Sequence, residues 1–85
     1  MPNQDVPVTL YIQWDGEVRV PIRGYAKPDS IKENEIVKDI GKIIHDFKGE
    51  KIFGNFKIKK VIRVIERGVL IRIEAYVEHL YPGQI

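Results

Sequence analysis

Two stretches of this chain alternate apolar and polar residues with a period of two, each folding back at a glycine, and the stretch between them carries apolar residues at helical spacing. That order predicts two β-hairpins joined by one helix. In the first stretch Val8, Leu10 and Ile12 alternate with Thr9, Tyr11 and Gln13, and Val18, Val20 and Ile22 alternate with Glu17, Arg19, Pro21 and Arg23. Such alternation marks strands with one buried face. A two-residue Asp15-Gly16 loop would set Ile12 against Arg19 and Leu10 against Pro21, mixing apolar and polar residues on one face. The expected turn is therefore a three-residue loop, Trp14-Asp15-Gly16, with Gly16 left-handed in a bulge. It pairs Ile12 with Val18, Leu10 with Val20 and Val8 with Ile22.

The second hairpin turns at Arg67-Gly68. Here an even loop pairs Val64 with Ile71, Ile62 with Ile73, Lys60 with Ala75 and Ile58 with Val77, keeping apolar partners together. The outward face then carries Lys57, Lys59, Val61, Arg63 and Ile65 on one strand. Leu70, Arg72, Glu74, Tyr76 and Glu78 lie beside them on the other.

Between the hairpins, Ser30-Ile31-Lys32-Glu33 reads as a capping box that opens a helix over residues 31 to 47, and Gly49 reads as its stop. At 3.6 residues per turn, Ile36, Val37, Ile40, Ile43, Ile44 and Phe47 fall within an arc of about 120°, the stripe of a helix lying on a sheet. One helix covers one face only. Ile52-Phe53 is expected to close the core beneath the helix end.

Pro21 cannot donate to a ladder, and Lys57, Lys59 and an inward Lys60 guard against edge pairing, so the second and third strands are expected at the edges. The first and fourth are then central and parallel. The expected fold is α+β, ββαββ, a four-stranded sheet of order 2-1-4-3 with one helix on one face, in a single domain spanning 1–85. This arrangement resembles the β-grasp topology of ubiquitin-like folds and of the immunoglobulin-binding domains of protein G. The resemblance is one of architecture without a shared motif and carries no function. The chain ends Pro82-Gly83-Gln84-Ile85, without the paired terminal glycines of ubiquitin-like modifiers, and lacks the cysteines of the β-grasp ferredoxins.

With 85 residues and no cysteine, neither disulfides nor thiolate metal sites supplement the core, so packing or association must stabilise it. No run of about 18 apolar residues occurs and Met1-Pro2-Asn3-Gln4-Asp5 lacks a secretory profile, which predicts a cytoplasmic protein away from membranes. Asn3, Asn34 and Asn55 are not glycosylation acceptors. Richness in Ile, Lys and Glu, with little Asn, Gln or Met, is a balance seen in thermophile proteins.

Chemistry-bearing residues are few. Gly49 to Gly54 has the glycine spacing of a phosphate loop, but Asn55-Phe56 stand where Lys and Ser/Thr would hold phosphate and magnesium. His45 and His79 have no spaced partners that would complete a metal site. Ser30 is committed to the cap, and the carboxylate pairs Glu33/Glu35 and Glu74/Glu78 lie on solvated surfaces. No catalytic, cofactor or metal residues are therefore expected, and the chain is not read as an enzyme.

Two surface features remain. Val61, Ile65, Leu70 and Tyr76 form an apolar group on the face left open by the helix, a contact surface for a second copy of the chain or another protein. The stretch from Lys48 to Arg72 holds 8 basic against 2 acidic residues although the net charge is only +2. Lys57, Lys59, Arg63, Arg67 and Arg72, with Tyr11 and Tyr76, would offer phosphate neutralisation and base stacking, so nucleic acid is the alternative partner.

Overall fold

The computed structural model describes residues 5–18, 21–48 and 53–81. They build one mixed sheet from β1 (Val6–Trp14), β2 (Glu17–Val18), β3 (Ile22–Ala26), β4 (Ile36–Asp39), β5 (His45–Lys48), β6 (Phe53–Glu66) and β7 (Val69–Leu80). The strand order is β4-β6-β7-β1-β3-β5, with β2 also paired to β1. β1 and β7 run parallel, from Val8 beside Ile73 to Gln13 beside Glu78, and the other pairs are antiparallel. The sheet curls into half a barrel.

The expected α+β, β-grasp-like fold is overturned, because the described residues contain no α-helix. The segment read as a helix forms β4, a 3-10 turn at Ile40–Lys42 and β5. Five of the six residues in its supposed stripe are Ile or Val, whose branched side chains are stiff in a helix, and Gly41 sits mid-segment. Asn34 and Asp46 adopt φ of 67° and 51°, which no right-handed helix accommodates. The proposed capping box is dissolved as well: the Ser30 hydroxyl donates to the Lys27 carbonyl, and the Glu33 carboxylate accepts the Val61 amide 28 residues away. Gly49 and Ile52 lie outside the described residues.

The burial logic of the segment survives in part without the helix: Val37 is half-buried, but Ile36, expected in the buried stripe, is exposed. Ile31, Ile40, Ile43 and Ile44 are buried against Val8, Leu10, Ile12, Ile58, Ile73 and Val77 on the concave face. In a 3-10 turn residues three apart eclipse one another, so Ile40 and Ile43 point the same way. β4 lies along β6 and β5 along β3, so neither the second nor the third expected strand is an edge over its whole length.

Both hairpins close through two-residue turns in which both central residues are left-handed: Asp15 and Gly16 at φ 53° and 79°, Arg67 and Gly68 at 53° and 77°. This is type I′, whose twist matches that of the strands. The three-residue first loop is thus corrected. Gln13 faces Val18, yet Leu10 faces Ile22, so one extra residue between β2 and β3 restores the parity that the loop was expected to supply. The expected pairs Ile12 with Val18, Leu10 with Val20 and Val8 with Ile22 are replaced by Gln13 with Val18, Leu10 with Ile22 and Val8 with Gly24, while Arg19 lies outside the described residues.

The long hairpin carries two irregularities. Ile65 faces Leu70, but Val64 faces Arg72, leaving Ile71 as an extra residue; Lys60 faces Tyr76, but Ile58 faces Val77, leaving Lys59 extra. Each bulge shifts the ladder by one residue, so parity is inverted between them. The expected pairs Val64 with Ile71, Ile62 with Ile73 and Lys60 with Ala75 are replaced by Val64 with Arg72, Ile62 with Glu74 and Lys60 with Tyr76. Lys60 accordingly faces away from the core. Among the described residues, no helix is long and apolar enough to cross a membrane.

Candidate functional site

Register decides which of the anticipated surface residues meet. Ala75 is buried and Val61 is its direct partner, so Val61, and with it Ile65 and Leu70, lies on the core side of the ribbon. Val61 and Leu70 pack against the core, while Ile65 extends past it and is 61% exposed. Tyr76 lies on the opposite, convex face. The four residues therefore do not make one patch.

Beyond Lys60 and Arg72 the β6–β7 hairpin pairs with no other strand among the described residues, because β4 reaches β6 only as far as Lys57 and β1 reaches β7 only from Ile73. The molecule is correspondingly long, 42 × 23 × 19 Å. This arm carries Ile62, Val64, Ile65, Val69, Leu70 and Ile71. Val69 is as exposed as Ile65, and an open hollow at the tip is lined by Glu66, Arg67, Val69 and Ile71.

One edge of the arm is covered. Glu33 accepts the Val61 amide at 3.0 Å, and the Arg63 guanidinium donates to the Ile31 carbonyl at 3.3 Å. Arg63 is thus turned from the convex face and used to hold the 31–35 segment, while Arg67 occupies the turn. The other basic residues stay together. Lys57 faces Glu78, Lys59 in its bulge reaches Glu78 at 3.7 Å, and Arg72 donates to Glu74 at 3.2 Å. Beside them the rings of Tyr11 and Tyr76, on the adjacent parallel strands, stack with centroids 5.1 Å apart. The Tyr11 hydroxyl donates to Glu74 at 3.4 Å.

A second cluster sits where β1 and β7 end. Trp14 follows Gln13 and His79 follows Glu78, so the parallel register brings their rings together, centroids 3.5 Å apart. Phe56 and Tyr81 meet the imidazole edge-on at 5.5 and 5.4 Å. His79 Nδ1 is buried and has no hydrogen-bond partner. The expected pairing of Ile58 with Val77, carried two residues further, sets Phe56 opposite His79 as observed but does not reach Trp14, which the parallel β1–β7 pairing, carried one residue further, brings in.

His45 stands apart, with Nε2 2.6 Å from Asp5 and Nδ1 3.0 Å from Asp46. Both ring nitrogens face carboxylate oxygens, so the doubly protonated ring is favoured. The hydrogen bond to Asp46, and then that to Asp5, raises its pKa above the ordinary 6.5. A base needs a free nitrogen lone pair, which this arrangement withholds.

Fold and surfaces together define a small all-β sheet domain with a projecting two-stranded arm. No family model, curated protein or solved structure matches the chain.

Proposed function

We propose that this protein is a non-enzymatic interaction module that associates with a second copy of itself through the β6–β7 arm. The observation that carries the reading is a ribbon with apolar residues on both faces and, among the described residues, no third strand. An isolated two-stranded ribbon is marginal in water and needs a further strand or packing surface. Each large aliphatic side chain fully buried by a partner contributes about 1.5–3 kcal/mol, appreciable against a total stability of about 5–15 kcal/mol. An isologous contact presents the same residues from both copies, so apolar meets apolar without another protein. Ser30 and His45, each tied to a local acceptor, are not poised as nucleophile or base, which agrees with a binding role. A cytoplasmic setting belongs to the same proposal and suits a chain without cysteine.

Solution mass tests it. Wild type should sediment as a dimer or larger species, and Ile65→Asp or Val69→Asp should each reduce the mass to one chain while keeping the far-ultraviolet signature of the sheet. A wild type that remains monomeric at the highest soluble concentration would falsify self-association.

A further inference from the structure

We infer that the convex face around Tyr11 and Tyr76 is a binding site for single-stranded nucleic acid, a role separate from contact through the arm. Parity places Arg23 on β3, Lys57 and Lys60 on β6, and Arg72 on β7 on the face turned away from the core, and Lys59 joins them through its contact with Glu78. The acidic residues facing this way, short of the tip, are Glu74 and Glu78, each with a cationic partner, and Asp46 of β5, which lies near Arg23 and is hydrogen-bonded to His45. Arg23, Lys57 and Lys60 make no ion pair among the described residues, so the face keeps a positive surplus.

That surplus surrounds an aromatic platform. Tyr76 is 42% exposed and Lys60 is its direct cross-strand partner, so a cation lies beside an open ring. Tyr11 stacks on Tyr76 and is fixed by its bond to Glu74, so little side-chain freedom is left to lose when a base arrives. Across Thr9, a hollow of about 360 Å³ between β1 and β3 opens near the platform, lined by Pro7, Pro21, Arg23, Tyr25 and Asp46 among others. A flexible strand has bases free to stack and a backbone that can follow lysines spread over several strands. A stacked duplex hides its base faces and does not use the tyrosines.

The test measures fluorescence anisotropy of labelled oligo-dT and oligo-rU at low salt, with a duplex of equal length and inorganic polyphosphate as controls. Binding of a single strand should exceed that of both controls. Its affinity should fall linearly with the logarithm of salt, by a slope of about 0.7 per phosphate contacted. Tyr76→Leu should weaken binding by about fivefold or more, whereas Tyr76→Phe, which retains the ring, should bind as wild type does. Lys60→Gln should flatten the salt slope without removing the stacking contribution. Thermal unfolding confirms that each variant is folded. No retention of either oligomer at low salt would overturn the inference. So would equal affinity for polyphosphate, or a folded Tyr76→Leu protein with undiminished affinity.

Discussion

The imidazole of His79 lies flat on the indole of Trp14, with the two ring planes 13° apart. Trp14 is the only tryptophan, so tryptophan emission reports on the surroundings of this one ring. Gly54 closes the box from the side: a Cβ added there would fall 2.9 Å from His79 Nε2, on a backbone at φ +132° that disfavours side chains. Gly54→Ala should destabilise the fold by about 1–3 kcal/mol in denaturant titrations and alter Trp14 emission. His79→Phe should behave oppositely. It keeps an aromatic ring in the box and removes the buried, unpartnered Nδ1, whose desolvation costs about 1–3 kcal/mol, so stability should be unchanged or higher.

His45 provides a pH dependence with a definite sign. Its pKa is raised in the folded protein, by Asp46 first and Asp5 second. Its contribution to stability is therefore fully present below the unfolded value of about 6.5 and is lost as pH rises through the folded value. A titration of the His45 ring protons by NMR should show a midpoint above 6.5. Asp46→Asn should lower that midpoint, and Asp5→Asn should do so independently. A midpoint unmoved by both changes would refute the assignment.

Glu33 guards an open strand edge. Its carboxylate occupies the Val61 amide that a foreign strand would otherwise take. Glu33→Ala should cost about 0.5–1.5 kcal/mol and promote aggregation, visible as a rise in scattering at constant concentration. Glu33→Gln retains an acceptor oxygen and should aggregate less.

Arg67 occupies a left-handed position that β-carbon sterics disfavour for all but glycine, asparagine and aspartate. Arg67→Asn suits the type I′ turn and should raise stability by about 0.5–1 kcal/mol. Gly68→Ala at φ +77° should lower it by about 1 kcal/mol. Paired denaturation curves for the two variants check both signs.

How much of this was legible in the sequence depends on whether a signal is local. The places of both glycine turns, though not the length of the first, and the inward set Val8, Leu10, Ile12, Ile73, Ala75 and Val77 follow from alternation, and the residues of that set are buried. Apolar central strands also pointed to β1 lying beside β7. The helix misled because Ile36, Val37, Ile40, Ile43 and Ile44 satisfy helical spacing and the needs of a short strand plus a 3-10 turn alike. Tertiary pairing to β6 decided between them. The bulges inverted the expected face of the arm, and so divided the apolar group while bringing Lys60 beside Tyr76. Their trace in the sequence is the doublets Lys59-Lys60 and Leu70-Ile71, where alternation breaks. The stacking of Tyr11 on Tyr76 needed the parallel register, which alternation alone does not supply.

The parallel seam between β1 and β7 also sets an order of events. Strand β1 has no partner on that side until β7, the last of the described strands, exists. A growing chain thus holds the apolar residues of β1 without their central neighbour until β7 has been made. Because closing so long a loop precedes any reward from the contact, refolding should fall in the slow, millisecond-to-second range of non-local β topologies.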